Sequence, residues 1–267
     1  MTKGMNTIPF VKASACGNDF LLIEGAQAPG DISAFTRRIC DRHEGVGADG
    51  VEWMHPHASA DIEIRLINAD GSEAEISGNG TRCVATYLCS ERELEKVAIL
   101  TGAGLKTCTL TARRDGEYEF EMEMGSAEVW PELCFLLGGD KVRGIPVSMG
   151  NPHYVLFVDE FPQDWRALAA RIQDSGQFKQ GVNVEFVKAD SLHDISVRIF
   201  ERGVGETQSS GTGSCASAAA AIATGKAQSP VRVHAAGGTQ TVRRDGGKVF
   251  LRGPAQLVCR GEFFLGR

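Results

Sequence analysis

One motif occurs twice in this chain, and the repetition limits what the chain can fold into. The first copy is Asn68-Ala-Asp-Gly-Ser-Glu-Ala-Glu-Ile-Ser77-Gly78-Asn79-Gly80-Thr81-Arg82-Cys83, and the second is Glu201-Arg202-Gly-Val-Gly-Glu-Thr-Gln-Ser-Ser210-Gly211-Thr212-Gly213-Ser214-Cys215. Each reads Ser-Gly-(Asn or Thr)-Gly, then a Cys, then an Ala-rich run of helical character. Ser77 and Ser210 stand 133 residues apart (210 − 77), about half of a 267-residue chain. Gly17 and Gly150, and Asn18 and Asn151, are separated by the same number. A single offset shared by independent matches implies a duplicated protein.

A Gly-X-Gly turn that opens a helix presents backbone N–H groups at the positive end of the helix dipole. Glycine is required there because a Cβ would block close approach of a ligand. One such turn binds one anionic group. Two facing turns, each preceded by a short side chain, would clamp a carboxylate and present Ser77 and Ser210 to opposite sides of one atom. That symmetry suits a reaction in which one face gives a proton and the other takes it. The plainer alternative, a tight turn leading into a core helix, is about as good for either copy alone. It loses ground when both copies carry polar residues upstream, Asn68 in one and Glu201-Arg202 in the other.

The rest of the chain alternates short strands with a few helices. Ile8–Ala15, Phe20–Glu24, Gly50–Met54 and Asp61–Asn68 read as strands by run or by alternation. Ile32, Phe35, Ile39 and Cys40 have helical spacing after Asp31, a candidate N-cap. Cys83–Cys89 is the first strong helix. Val97–Thr101, Lys106–Ala112 and Tyr118–Met124 are strands broken by glycine, with Arg114-Asp-Gly116 as a hairpin turn. The order then repeats, with a strand at Tyr154–Val158, a helix at Trp165–Ile172 and strands at Val182–Val187 and Ile195–Phe200. A helix over Ala216–Thr224 ends near Gly225, and short strands follow at Val231–His234, Gly237–Val242, Lys248–Ala255 and Gly261–Leu265. The fold class is α+β, with two similar halves, each a mostly antiparallel sheet around a central helix. Trp130-Pro-Glu is the best midpoint linker.

A net charge of −6 without a Lys/Arg block argues against nucleic acid as a partner. No apolar run approaches the ~20 residues that span a bilayer, so no membrane role is expected. The N-terminus lacks a signal-peptide core, and Met5 is a candidate alternative start. Eight cysteines are scattered without CxxC pairs, which fits reduced thiols in a cytoplasmic protein. Cys83, Cys89 and Cys215, in apolar surroundings, read as small core residues.

The ordered set Gly17-Asn18-Asp19-Phe20, Asn68-Ala-Asp-Gly-Ser, Gly78-Asn79-Gly80-Thr-Arg-Cys83, Met149-Gly-Asn151-Pro-His153, Asn183 and Glu201-Arg202-Gly-Val-Gly-Glu-Thr-Gln-Ser-Ser-Gly211-Thr212-Gly213 resembles the diaminopimelate epimerase family. The resemblance runs from about residue 8 to the C-terminus. It implies two pseudo-symmetric domains with the active site in the cleft between them. On this reading residues 1–128 form the N-terminal half, joined by the last strand at about 257–267, and residues 129–256 form the C-terminal half. The family implies epimerisation of an amino-acid Cα, interconverting LL- and meso-2,6-diaminopimelate for lysine and peptidoglycan-precursor synthesis. It uses no cofactor, neither pyridoxal phosphate nor metal, and relies on two opposed cysteines. The implied substrate ligands are Asn18, Asn68, Asn151, Asn183, Glu201 and Arg202 at the distal amino-acid end. The N–H groups of Gly78, Asn79, Gly211 and Thr212 are the implied grip on the reacting carboxylate. A small-molecule amino acid is the expected partner, and a homodimer is the candidate assembly. Where the family often has Gln in a Gly-x-Asp-Gln loop, this chain has Gly50. His153 is either a structural partner of the turn before it or a proton relay, and Arg82 reads as a solvated or packing residue.

The family's two catalytic cysteines fall on Ser77 and Ser210. A thiol has a pKa of roughly 8.5 and a hydroxyl one nearer the ~15.7 of water. At 1.36 kcal/mol per unit, forming the oxyanion base costs on the order of 10 kcal/mol more. A helix N-terminus returns only ~1–2 kcal/mol of that. Three accounts stand side by side: a double Cys→Ser variant, a lineage in which neighbouring groups activate the serines, or a non-catalytic amino-acid-binding homologue. A racemase or epimerase for another amino acid, such as histidine or hydroxyproline, is the alternative substrate reading.

Overall fold

The computed structural model describes residues 6–265, so the expected start at Met5 and the last two residues of the expected terminal strand lie outside the described part. Contacts divide the chain into two compact units. One runs to Met122 and takes in the chain from Pro254 onward, and the other is Glu123–Gly253. Trp130-Pro-Glu therefore lies inside the second unit.

Four α-helices occur among the described residues: α1 (Ile32–Cys40), α2 (Gly78–Glu91), α3 (Trp165–Gln173) and α4 (Gly211–Ala223). The 133-residue step carries α1 onto α3 and the start of α2 onto the start of α4. It likewise carries the strand Gly50–His55 onto Asn183–Ala189 and Ile62–Asn68 onto Asp194–Glu201. The halves thus diverge by substitution along a shared sequence of elements.

In the first unit, Asn18–Glu24 pairs in parallel with Gly50–His55 after the α1 crossover, and Ile62–Asn68 pairs in parallel with Lys96–Thr101 after α2. The remaining pairings there are antiparallel, including Thr7–Ala15 with Asn18–Glu24 and Gly50–His55 with Ile62–Asn68. The second unit repeats this with Pro152–Phe157 beside Asn183–Ala189 and Asp194–Glu201 beside Val231–Ala235. Mostly antiparallel sheets around a central helix are what the alternation of short apolar runs predicts. The turn at Arg114-Asp-Gly116 forms as expected, with Asp115 and Gly116 both at positive φ, 48° and 84°.

The central helices have no exposed face along most of their length. From Asn79 to Thr86 every residue of α2 is buried, and so is every residue of α4 from Gly213 to Ala221. The Ala run of α4 suits such an interior position and lets seven surrounding strands approach it. By contrast α1 and α3 bury one stripe each: Phe35, Ile39 and Cys40 in one, Trp165, Ala169 and Ile172 in the other. Asp31 caps α1 by accepting from Ala34 N at 2.8 Å. Beyond α4, Gly225 takes φ 72°, the left-handed conformation that ends a helix.

Two expectations change. Helices α2 and α4 begin at Gly78 and Gly211, each five residues before the run at which the pattern becomes visible, because Ser77 and Ser210 cap them. The last two short strands are one, Lys248–Phe264, whose glycines do not interrupt it. Its early part pairs with Gly238–Asp245 in the second unit, and its end, Gln256–Phe264, pairs with Thr7–Ser14 in the first.

Trp53 is fully buried against Phe35, with ring centroids 5.8 Å apart. Replacing it with alanine removes the largest side chain of that cluster. Trp53→Ala is expected to lower stability by about 3–5 kcal/mol in urea titration.

Candidate active site

Each central helix starts at a serine held in extended conformation, Ser77 at φ −120° and Ser210 at φ −140°. Ser77 Oγ accepts from Gly80 N at 3.1 Å, and Ser210 Oγ accepts from Gly213 N at 3.2 Å. The first intrahelical bonds are Thr81 N to Ser77 O and Ser214 N to Ser210 O. The N–H groups of Gly78 and Asn79, and of Gly211 and Thr212, therefore belong to the first turn, where an anion is favoured. Nothing lies within 4 Å of where a Gly78 Cβ would be, so that glycine leaves the turn open to a ligand.

In the first unit, Asn79 Nδ2 donates to Asn18 Oδ1 at 3.4 Å, and Asn79 Oδ1 accepts from Arg82 Nη2 at 2.5 Å. Asn18 in turn donates to Asp49. Arg82 is fully buried, not solvated, because its guanidinium serves Asn79 and the carbonyl of Gly78 inside the helix start. Burial alone would raise the Asp19 carboxyl, but hydrogen bonds from Arg42 and Lys12 outweigh it and hold Asp19 below the usual carboxylate range. Arg42 also pairs with Asp49 at 2.7 Å, which fixes the acceptor for Asn18. Asn68 is placed differently. It lies opposite Gly50 across the strand pair, and its side chain donates to Ser72 in its own turn. The first unit thus joins Asn18, Asn79 and the Ser77 turn, while Asn68 is bonded elsewhere.

The second unit repeats the arrangement with different chemistry. Asn151 Nδ2 donates to Thr212 Oγ1 at 3.4 Å, the same step away as the Asn18–Asn79 bond. His153 Nε2 meets Asn151 Oδ1 at 3.0 Å, and Nδ1 meets Glu185 Oε1 at 2.7 Å. With Asn151 Oδ1 accepting, Nε2 carries a hydrogen. The dyad is then either imidazolium with carboxylate or imidazole with carboxylic acid, and in both forms it holds one proton between its members. Burial raises the Glu185 carboxyl, and the imidazole works against that. Asn183 Oδ1 accepts from Arg202 N at 2.9 Å and its Nδ2 donates to Pro152 O, so Asn183 is tied to the Arg202 backbone. The Arg202 side chain extends to the carbonyl of Gln180. Glu201 is hydrogen-bonded with Ser210; burial raises its carboxyl and that bond pulls the other way.

Two residues that motif reading passed over lie beneath the helix starts. Glu52 and Glu185 are fully buried, stand 133 residues apart and point at equivalent glycines. Glu52 Oε1 fills the space a Gly80 Cβ would take, and Glu185 Oε1 lies 3.0 Å from the corresponding point at Gly213. Their shared offset was the available signal. Burial pushes the Glu52 carboxyl from 4.5 up to about 8. The nearby thiols do not replace the missing cysteines: burial raises Cys16 and Cys83 alike, and Cys83, Cys89 and Cys215 are core residues as expected.

The sequence profile described as diaminopimelate epimerase matches residues 10–130 and 145–258. A protein of Elusimicrobium minutum named diaminopimelate epimerase is 36% identical, covering 95% of this chain and 98% of that protein. Among solved structures, a Bacillus anthracis phenazine biosynthesis protein of the PhzF family matches at TM-score 0.75 and 17% identity, over 98% of this chain and all (100%) of that one. A hydroxyproline epimerase from Agrobacterium vitis with bound trans-4-hydroxy-L-proline matches at 0.69 and 17%, over 97% and 91%. At such identities the two structures establish a shared fold.

Gly80→Ala is expected to cost about 1–3 kcal/mol by overpacking against Glu52, measured by denaturation. Gly78→Ala, facing open space, is expected to stay within ~1 kcal/mol of the parent chain. The Glu52 carboxyl also gives stability a pH slope. Its folded value lies above its unfolded one, so its contribution is complete below about pH 4 and is lost as pH rises toward 8. The slope is roughly 1.4 kcal/mol per pH unit, a few kcal/mol in all. Denaturation of Glu52→Leu between pH 5 and 9 is expected to lack this fall.

Proposed function

Because the chain belongs to the diaminopimelate epimerase family, we propose that it is a cofactor-independent isomerase that interconverts LL- and meso-2,6-diaminopimelate by proton transfer at Cα. The observation that carries this reading is the pair of serine-capped Gly-X-Gly helix starts at one offset, each with its own buried acid–base partners.

The N–H groups of Gly78, Asn79, Gly211 and Thr212 take the reacting carboxylate. Their dipoles favour the charge that builds on it as Cα loses its proton. Ser77 and Ser210 occupy the acid and base positions, so two-base transfer requires both turns to grip one substrate. One removes the Cα proton, the electron pair delocalises into the carboxylate, and the other delivers a proton to the opposite face. Ser210 has Glu201 as its hydrogen-bond partner, a carboxyl raised by burial and suited to accept the hydroxyl proton. The His153–Glu185 dyad fixes Asn151, which holds Thr212 at the second turn. Asn18, Asn68, Asn151, Asn183, Glu201 and Arg202 are assigned to the distal amino-acid end. The bonds of Asn183 with the Arg202 backbone support a joint role for those two.

The same reading places the enzyme in the cytoplasm, with its thiols reduced and a homodimer as its assembly. No helix among the described residues is long and apolar enough to cross a membrane.

The experiment is Cα deuterium incorporation into LL-diaminopimelate in D₂O, followed by NMR for this chain and for Ser77→Cys/Ser210→Cys. Incorporation with formation of the meso isomer is expected in the cysteine variant, whose thiols regain the roughly 7 units of acidity the hydroxyls lack. Absence of exchange in both forms rejects the reaction.

A further inference from the structure

The sheet of the first unit comes apart at one place, near the end of α2 that lies away from Ser77. Strand Thr7–Ala15 pairs with Asn18–Glu24 only as far as Val11 opposite Leu22, yet both strands run on, to Thr7 and to Glu24. On its other side the same strand stays paired out to Thr7, opposite Phe264. Asn18–Glu24 likewise keeps its parallel partner to the end, with Glu24 opposite Met54. Pro9 stands in the stretch where the first two strands part. Without an N–H it can donate to neither neighbour, which favours a break in the ladder there.

A cleft of about 360 Å³ occupies this opening, wholly within the first unit. That is at the small end of the ~300–1,000 Å³ typical of small-ligand sites. Its wall is mostly apolar, with Val11, Leu22, Met54 and the half-buried ring of Tyr87 from the closing turns of α2. Two carboxylates stand at the mouth. Glu262 lies opposite Pro9, and Glu24 lies where Pro9 would have its other partner had the pairing continued. Both are exposed, and neither side chain has a hydrogen bond or an ion pair among the described residues. Arg260 also reaches the cleft, but its guanidinium is already 3.1 Å from Glu91. The charge left over is negative, and Tyr87 feels it. Burial raises the phenol, Glu24 and Glu91 push it the same way, and Arg260 and Arg92 oppose them. The negative end of the α2 dipole has the same sign.

We propose that this cleft is a second small-molecule site, for organic ammonium ions: a primary amine carried on a compact apolar body. The ammonium group lies between Glu24 and Glu262, where charge-assisted hydrogen bonds reach it from both sides of Pro9. The body fills the space among Val11, Leu22, Met54 and Tyr87, and the tyrosine ring face adds its own attraction for the cation. An anion would meet the wrong sign. A neutral molecule of the same shape would gain only the apolar contact. The site uses no residue of the serine turns, so it stands or falls apart from the reaction put forward above.

The probe is 2-phenylethylamine, protonated at about pH 7, with 2-phenylethanol and 3-phenylpropionate as its neutral and anionic counterparts. Calorimetry on the full chain is expected to show the amine binding about 10-fold or more tighter than the alcohol, and the carboxylate weaker than either. Glu24→Gln/Glu262→Gln should bring the amine to the level of the alcohol. Both side chains are exposed and unbonded, so the thermal midpoint of that variant should match the parent. Location is read from the methionine methyl groups by NMR, with Met54 assigned through Met54→Leu. The phenyl ring should shift the Met54 methyl and leave that of Met149, in the other unit, in place. Equal binding of amine and alcohol overturns the site, as does amine affinity unchanged in the double variant. Saturation without movement of the Met54 methyl overturns it as well. So does absence of amine binding at about 10 mM. If that absence comes with a dimer that the double variant dissociates, the cleft is an interface between copies and not a ligand site.

Discussion

The serine hydroxyl that takes the N–H of the second glycine is the interaction on which each half depends. At 3.1 Å in one half and 3.2 Å in the other, it is an ordinary helix cap, of about 1 kcal/mol. Its geometric effect is larger than its energy. It fixes where the central helix begins, holds the preceding residue extended, and turns the first N–H groups outward. A glycine must follow at the third position, since the interior beneath it is already occupied by a carboxyl oxygen. Cap, glycine and buried glutamate are one unit, and the chain contains it twice.

The two copies have then drifted apart in charge. Around Ser210 the buried acids are partnered: Glu185 by His153, and Glu201 by the serine itself. Around Ser77 the polar groups of the rim are satisfied among themselves through Asn18, Asn79 and Arg82, and Glu52 is left alone in the interior. A lone carboxyl under a helix start is electrostatically soft. It can hold a proton or carry a negative charge that faces the positive end of the helix dipole, whereas Glu185 shares its proton with an imidazole. Symmetric backbone and asymmetric acidity together suit a reaction whose two faces play opposite roles.

Much of this was legible in the sequence because glycine, serine and asparagine act locally. Ser77 and Ser210 with their glycines announce helix starts through chemistry confined to four residues, and the common offset announces the repeat. The Arg114-Asp-Gly116 hairpin and the Asp31 cap are of the same kind. What stayed hidden depends on partners far along the chain. Arg82 looks like a surface cation until the helix that carries it is known to be buried on every side. Glu52, in an otherwise apolar strand, looks like the polar member of an alternating pattern, and only the pairing of Gly50–His55 between two other strands turns it inward. The 17-residue final strand looked like two because glycines at 253 and 261 read as breaks, yet paired neighbours on both sides hold the backbone extended through them.

That final strand has a consequence for how the protein comes into being. The sheet position next to Thr7–Ser14 belongs to Gln256–Phe264, which leave the ribosome after the whole of the second unit. The unit whose synthesis starts first is therefore completed last, after the other has been made in full. Until then its opening strand carries an unsatisfied edge, open to mispairing with other nascent chains. The second unit, whose strands are contiguous in the chain, meets no such delay. Duplication gave the halves matching architecture, but chain order gave them different folding histories, and the first half waits longer for its last strand.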